Sequence, residues 1–218
     1  MGAIVTPSIV GLRNLLAERF QQPPPPRDLR LPTGVPPIDG PLGGGLPRSA
    51  ITELSSPNIS SGSGLIIYAL LENAYRNGYF LALIDGRDSF DPQSLDQTLL
   101  RHLLWIRCTQ TLDAIKAADL LLRDGNFPLV ILDLVLNLTG ELRQIPQTTW
   151  YRLQRLVEVA PTAFLVLSRR SIISSAQLKL SLENSLKLED LEEENRLNQL
   201  RIQVKRAHRG RETIARAS

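Results

Sequence analysis

The sequence predicts an α/β protein: a mostly parallel sheet sandwiched by helices, with a tethered N-terminal helix and a C-terminal antiparallel hairpin. Three observations predict it. Four runs, "YFLALID", "LLWIRC", "FPLVILDLV" and "AFLVLS", are apolar almost throughout instead of alternating, the pattern of strands covered on both faces. Between them lie stretches with apolar residues three and four apart, the pattern of helices that cover such a sheet. Ahead of this body, four consecutive prolines follow a short amphipathic stretch and cannot continue its helix.

The elements follow in order. Ile9, Leu12, Leu15, Leu16 and Phe20 share one helical face, and "QQPPPPRD" tethers that helix to the rest, so residues 1–26 form one unit and 27–218 the other. The body opens near Leu31 with the turn-rich "PIDGPLGGGLPRS", in which Gly43, Gly44 and Gly45 suit a turn that needs positive φ. "AITELSS" is a strand ending at small residues. Ile66 to Asn77 has helical spacing and stops at Gly78. Tyr79–Asp85 is a buried strand ending in an acid. Asp91–His102 is predicted helical with Pro92 in the first turn, Leu103–Cys108 is a strand, and Thr111–Arg123 is a helix with Thr111 as its N-cap. "FPLVILDLV" carries Asp133, Thr148–Ala160 is helical, and Ala163–Ser168 is the last buried strand. "SLKLEDL" and "NQLRIQVKRA" are expected to form the closing hairpin.

Composition narrows the function classes. The 218 residues suffice for one well-buried core. No apolar run reaches the roughly 20 residues that span a bilayer, and the first residues lack a secretory pattern, so the expectation is a cytoplasmic protein with no membrane contact. A single cysteine, Cys108, excludes an internal disulfide and a cysteine-rich metal site; its expected state is an inert buried thiol. His102 and His208 have no metal-like partners. The net charge of +3 is unevenly spread: Glu189–Glu194 is almost wholly acidic, whereas Arg196–Ser218 carries seven Arg or Lys against one acid. Arg201, Lys205, Arg206, Arg209 and Arg211 are therefore candidates for contact with DNA phosphates or a protein partner, and phosphate contact there would be salt-sensitive and sequence-independent. A solubilising end explains the same charge equally well.

The stretch "ELSSPNISSGSGLII", Glu53–Ile67, has the layout of a phosphate-binding loop: a strand, small residues, a glycine pair, then a helix. Such a loop needs a lysine followed by Ser or Thr, and Ser63-Gly64 stands there instead. Ser56, Ser60, Ser61, Gly62, Ser63 and Gly64, with Asp133 at a later strand end, make up a vestigial nucleotide-binding set.

On these blocks the chain resembles the RecA-like superfamily. "LPTGVPPIDGPLGGGLPRSAITELSSP" resembles the approach to a RecA-type phosphate loop, "LALIDGRDSFDP" the second core strand with its acidic loop, and "PLVILDLV" the strand whose acid supports Mg²⁺. The likeness runs from about Leu31 to Arg206 and is nearest, through "GGGLPRSAITEL" and "LLWIRC", to the ImuA/SulA-related accessory proteins of the SOS response. In that family a glutamate after the second strand activates water; the matching residue is Arg87, which stays protonated and cannot act as a base. A polar pair after the last buried strand senses the γ-phosphate there; Ser168 and Arg169 occupy those places. Losing the lysine costs about 10²–10³ in rate, and losing the base about 10²–10⁴ more. The resemblance thus implies a non-hydrolysing accessory protein without catalytic residues, resident metal or obligatory cofactor. Backbone N–H groups leave room for weak ATP or anion binding. The implied partners are RecA or an error-prone Y-family translesion polymerase, with self-association through the N-terminal helix. The rival expectations are a surviving DNA-dependent ATPase of the recombinase type and a SulA-like division inhibitor.

Overall fold

Strands that are apolar on both sides can be buried only in the middle of a three-layer structure, and that is where the computed structural model of the chain places Leu81–Asp85, Leu129–Asp133 and Ala163–Ser168; Leu103–Arg107 is instead an edge strand and only half-buried, because it has a neighbour on one side alone. The structure describes residues 29–58, 62–183 and 196–207. The tethered helix with Ile9, Leu12, Leu15, Leu16 and Phe20 lies outside these residues, as do Ser60, Ser61, Arg209 and Arg211. Nine strands are described: β1 (Arg30–Leu31), β2 (Leu46–Pro47), β3 (Ala50–Ser55), β4 (Leu81–Asp85), β5 (Leu103–Arg107), β6 (Leu129–Asp133), β7 (Ala163–Ser168), β8 (Leu178–Leu182) and β9 (Ile202–Ala207). The helices are α1 (Pro36–Leu42), α2 (Ser63–Arg76), α3 (Gln97–Leu100), α4 (Thr111–Asp124), α5 (Thr139–Arg143) and α6 (Gln147–Val159).

The main sheet has the order β5-β4-β6-β7-β3-β8-β9. Every pairing in it is parallel except the last, β8 with β9. Successive residues of each central strand serve opposite cores. Leu81, Leu83, Leu129, Ile131 and Leu165 join the core under α1 and α2. Ala82, Ile84, Val130, Leu132, Phe164 and Val166 join the core under α4 and α6. Because both faces are covered, charged groups on these strands are costly except at strand ends or where partners meet them.

Before the sheet, α1 ends at Gly43, and Gly43, Gly44 and Gly45 all have positive φ, as expected. At Gly45 a Cβ would run into the Leu31 carbonyl, so only glycine lets β2 lie against β1 there. Thr33 and Gly34 donate backbone N–H groups to Asp39, which fixes the chain as it enters α1.

Several boundaries differ from the sequence reading. Asp91–His102 is not one helix. Asp91 caps a 3-10 turn at Pro92–Ser94, and Asp96 caps the separate α3, each accepting the backbone N–H two residues on. Two good N-caps five residues apart break the helix that apolar spacing alone suggested. Thr111 is the first residue of α4, not its cap, because its hydroxyl is committed to Glu141. In the described hairpin β9 pairs with Leu178–Leu182; "SLKLEDL" lies outside the described residues. β8 lies between β3 and β9, so it is apolar at Leu178, Leu180 and Leu182.

Phe164 is 1% exposed in β7, whereas Val159 at the end of α6 is 86% exposed. Phe164→Ala is expected to lower unfolding free energy by about 3–5 kcal/mol. Val159→Ser should stay within about 0.5 kcal/mol of the parent in the same denaturant titration.

Candidate functional site

The carboxyl ends of the parallel strands form the rim on which a sheet of this kind places its chemistry. Three connections meet there. The first follows β3. Ser56 is 1% exposed; its N–H donates to the Ser168 carbonyl at 2.8 Å, and its hydroxyl donates to the Asn58 carbonyl at 3.0 Å. α2 then starts at Ser63, with Gly62 as N-cap at φ 100° and no side-chain cap. Ser63 is buried and Gly64 exposed. The first N–H groups of α2 have no acceptor within the helix, so the positive end of its dipole faces this turn. The stretch Ser55–Gly64 contains no lysine or arginine to add a mobile charge to it.

The second part is a pair of strand-end acids placed side by side by the β4–β6 register, Asp85 opposite Asp133. Asp85 is 1% exposed and saturated. It accepts N–H groups of Arg87, Ser89 and Phe90 at 3.2, 2.8 and 2.7 Å, and the Trp105 indole N–H at 3.4 Å. Its role is to fold the turn after β4. Asp133 has fewer partners: among the described residues its carboxylate accepts only the Val135 N–H, at 2.9 Å. Burial pushes its pKa up to about 6, with the nearby Asp85 adding to the rise and the Val135 bond opposing it.

The third part is a polar network over the ends of β4, β5 and β6. The Arg87 guanidinium donates to the Thr109 carbonyl at 2.9 Å and to Glu141 at 3.3 Å. The other Glu141 oxygen accepts the Thr111 hydroxyl at 2.6 Å. Asn137, 3% exposed, donates to Thr111 Oγ1 at 2.8 Å and to the Gly86 carbonyl at 3.1 Å. Gly86 is required here, since a Cβ would sit 2.5 Å from Asn137 Oδ1 and 2.7 Å from the Asp133 carbonyl. The Arg87–Glu141 pair is about one-third exposed, so it is worth at most about 1 kcal/mol. Its effect is geometric: it holds three connections together and fixes where Arg87 points. Neighbouring Asp88 is turned away by a two-pronged bond to Arg107, whose guanidinium also lies 5.0 Å from the Trp105 ring centre.

The remaining candidates lie apart from this rim. Lys205 and Gln203 both bind Glu183, at 2.9 and 2.6 Å, and Arg206 donates to the Ser174 carbonyl at 3.0 Å. Arg201 is exposed at the start of β9. Ile202 packs on the core, while Val204 is 41% exposed because β9 is the edge of the sheet. Cys108 is buried and its thiol is pushed up in pKa, first by that burial. The His102 ring lies between Phe80 and Tyr75, with Nδ1 2.9 Å from the Tyr79 carbonyl. Among the described residues no cluster of three metal-binding side chains occurs, and no helix is long and apolar enough to cross a membrane. Sequence reasoning missed Thr111, Asn137 and Glu141 as rim residues; no spacing signal connects Thr111 to the other two, because the connection after β6 must fold back onto the start of α4.

The raised pKa of Asp133 has a definite sign. The folded state holds the proton more tightly than the unfolded chain, whose value is near 3.8. The favourable contribution is therefore complete below that value and is lost as pH rises through about 6. Asp133→Asn should match the parent in stability near pH 4 and exceed it by about 1–3 kcal/mol at pH 8. Denaturant titrations at the two pH values check this; a variant destabilised at pH 8 would show that the carboxylate is held by a cation or an unseen donor.

The comparison with known proteins fits this arrangement. No protein-family model matches the chain. RecA of Clavibacter michiganensis is 35% identical over 108 residues, covering 48% of this chain and 30% of that protein. RecA of Treponema pallidum is 35% identical over 114 residues, covering 51% of this chain and 28% of that protein. RecA of Methylococcus capsulatus is 33% identical over 112 residues, covering 50% and 32%. The matched stretch thus spans about a third of the length of these relatives. With the parallel sheet, its flanking helices and the closing hairpin, this similarity makes the chain RecA-like over about half its length.

Proposed function

We propose that the chain is a non-hydrolysing RecA-like accessory protein of DNA-damage repair, acting through protein contacts in the manner of the ImuA group. It would recruit or regulate an error-prone translesion polymerase, with RecA as a further partner. The single observation that carries this reading is Arg87. Where the resemblance implies a water-activating carboxylate, the chain has a guanidinium held by Thr109 and Glu141. A permanently charged donor cannot take a proton from water, and its partners keep it in place. Ser63 and Gly64, in place of the lysine and the Mg²⁺-binding hydroxyl, remove further parts of the same machine.

A second reading, a DNA-dependent ATPase, draws on Asp133, which keeps the strand-end position that supports Mg²⁺ in RecA-type enzymes. The two readings separate cleanly. Phosphate release from ATP with Mg²⁺ and single-stranded DNA is expected to equal the protein-free control, while immobilised full-length chain retains a Y-family polymerase or RecA. DNA-stimulated turnover, or no retention of either protein, would overturn the proposal.

A further inference from the structure

The connection from β7 to β8, Arg169–Gln177, contains no helix or strand, yet four elements bind it. The centre of this arrangement is Glu53, in the middle of β3 and 1% exposed. Its carboxylate accepts the Ser171 hydroxyl at 2.7 Å and the N–H groups of Ile172 and Ile173 at 2.5 and 3.0 Å. Lys179 of β8 stands 3.2 Å from the same carboxylate and donates to Ser171 Oγ at 2.8 Å. From the other side Gln147, at the start of α6, donates to the Ile172 carbonyl at 3.1 Å and accepts the Ser174 hydroxyl at 2.7 Å. Arg206 of β9 reaches the Ser174 carbonyl, and Gln177 accepts the Ile51 N–H at 2.8 Å.

A carboxylate in the middle of a buried strand is costly unless donors replace the water it has lost. Here three of the four donors belong to the connection itself, so the connection is the solvation shell of Glu53. The dependence is mutual: without the carboxylate two backbone N–H groups lose their acceptor, and the Lys179 ammonium loses its counter-charge and keeps only Ser171 Oγ. The same connection begins at Ser168, whose carbonyl holds Ser56, and it carries the exposed Arg169 and Arg170.

We propose that Glu53 is a latch: its carboxylate holds the β7–β8 connection closed against the sheet beside the Ser56 turn, and its loss releases that connection while the sheet stays intact. The position of Arg169 and Arg170 relative to the turn is then set by the latch, and whatever engages these arginines acts on an element whose release requires breaking the Glu53 bonds. This inference does not depend on whether the chain hydrolyses ATP.

Hydrogen-exchange mass spectrometry of the full chain tests it. In Glu53→Met, which removes the acceptor, peptides covering residues 170–177 should exchange at least about tenfold faster while peptides of β4 and β6 are unchanged. Adding Lys179→Met should recover part of the thermal midpoint lost in Glu53→Met, because the ammonium left without its counter-charge is gone, without restoring protection of the connection. If Glu53→Met does not fold, Glu53→Asp keeps the charge but shortens its reach, and the same selective acceleration is expected. Equal acceleration in β4, β6 and the connection, or no change in the connection, would overturn the latch.

Discussion

Everything chemical in this protein follows from the burial of both faces of its central sheet. β4, β6, β7 and β3 have a core above and a core below, so their side chains have no route to solvent except at the strand ends. Charged residues on them must either sit at the carboxyl rim or bring their own partners. Asp85 and Asp133 are of the first kind, and Glu53 is of the second. The cost of leaving any of them unpaired is several kcal/mol per charge, comparable with a large share of the 5–15 kcal/mol that holds a domain folded. The connections around them are therefore shaped by these carboxylates as much as by the apolar core.

Seen this way, the rim is already occupied by the protein's own groups. Asp85 spends its acceptors on the turn after β4. Arg87, Glu141, Thr111 and Asn137 bind one another across three connections. The connection after β7 is bound to Glu53, Gln147 and Arg206. A nucleotide machine needs groups at these places that are free to change partners between states. Here Arg87, Glu141, Thr111 and Asn137 are matched to each other.

The sheet was legible in the sequence because burial on both faces leaves an unmistakable record: runs such as "LVILD" have no polar alternate positions. The positive-φ glycines and the strand-ending acids were equally visible, since each is local. What failed was either a competing local signal or a distant partner. The Asp91–His102 helix was misread because apolar spacing outvoted two caps, Asp91 and Asp96. The strand Leu178–Leu182 was not singled out because its pattern, "LKLSL", is short and its place is set by pairing with β3, more than a hundred residues away. Glu53 gave no signal as a latch, since its donors lie more than a hundred residues away in sequence.

The central claim, that the rim keeps the shape of a nucleotide site without its working parts, is tested most directly by calorimetric titration of the full chain with ATP and Mg²⁺. The account predicts no saturable, Mg²⁺-dependent heat, and the same trace for Asp133→Asn. Saturable binding that requires Mg²⁺ and disappears in Asp133→Asn would contradict it.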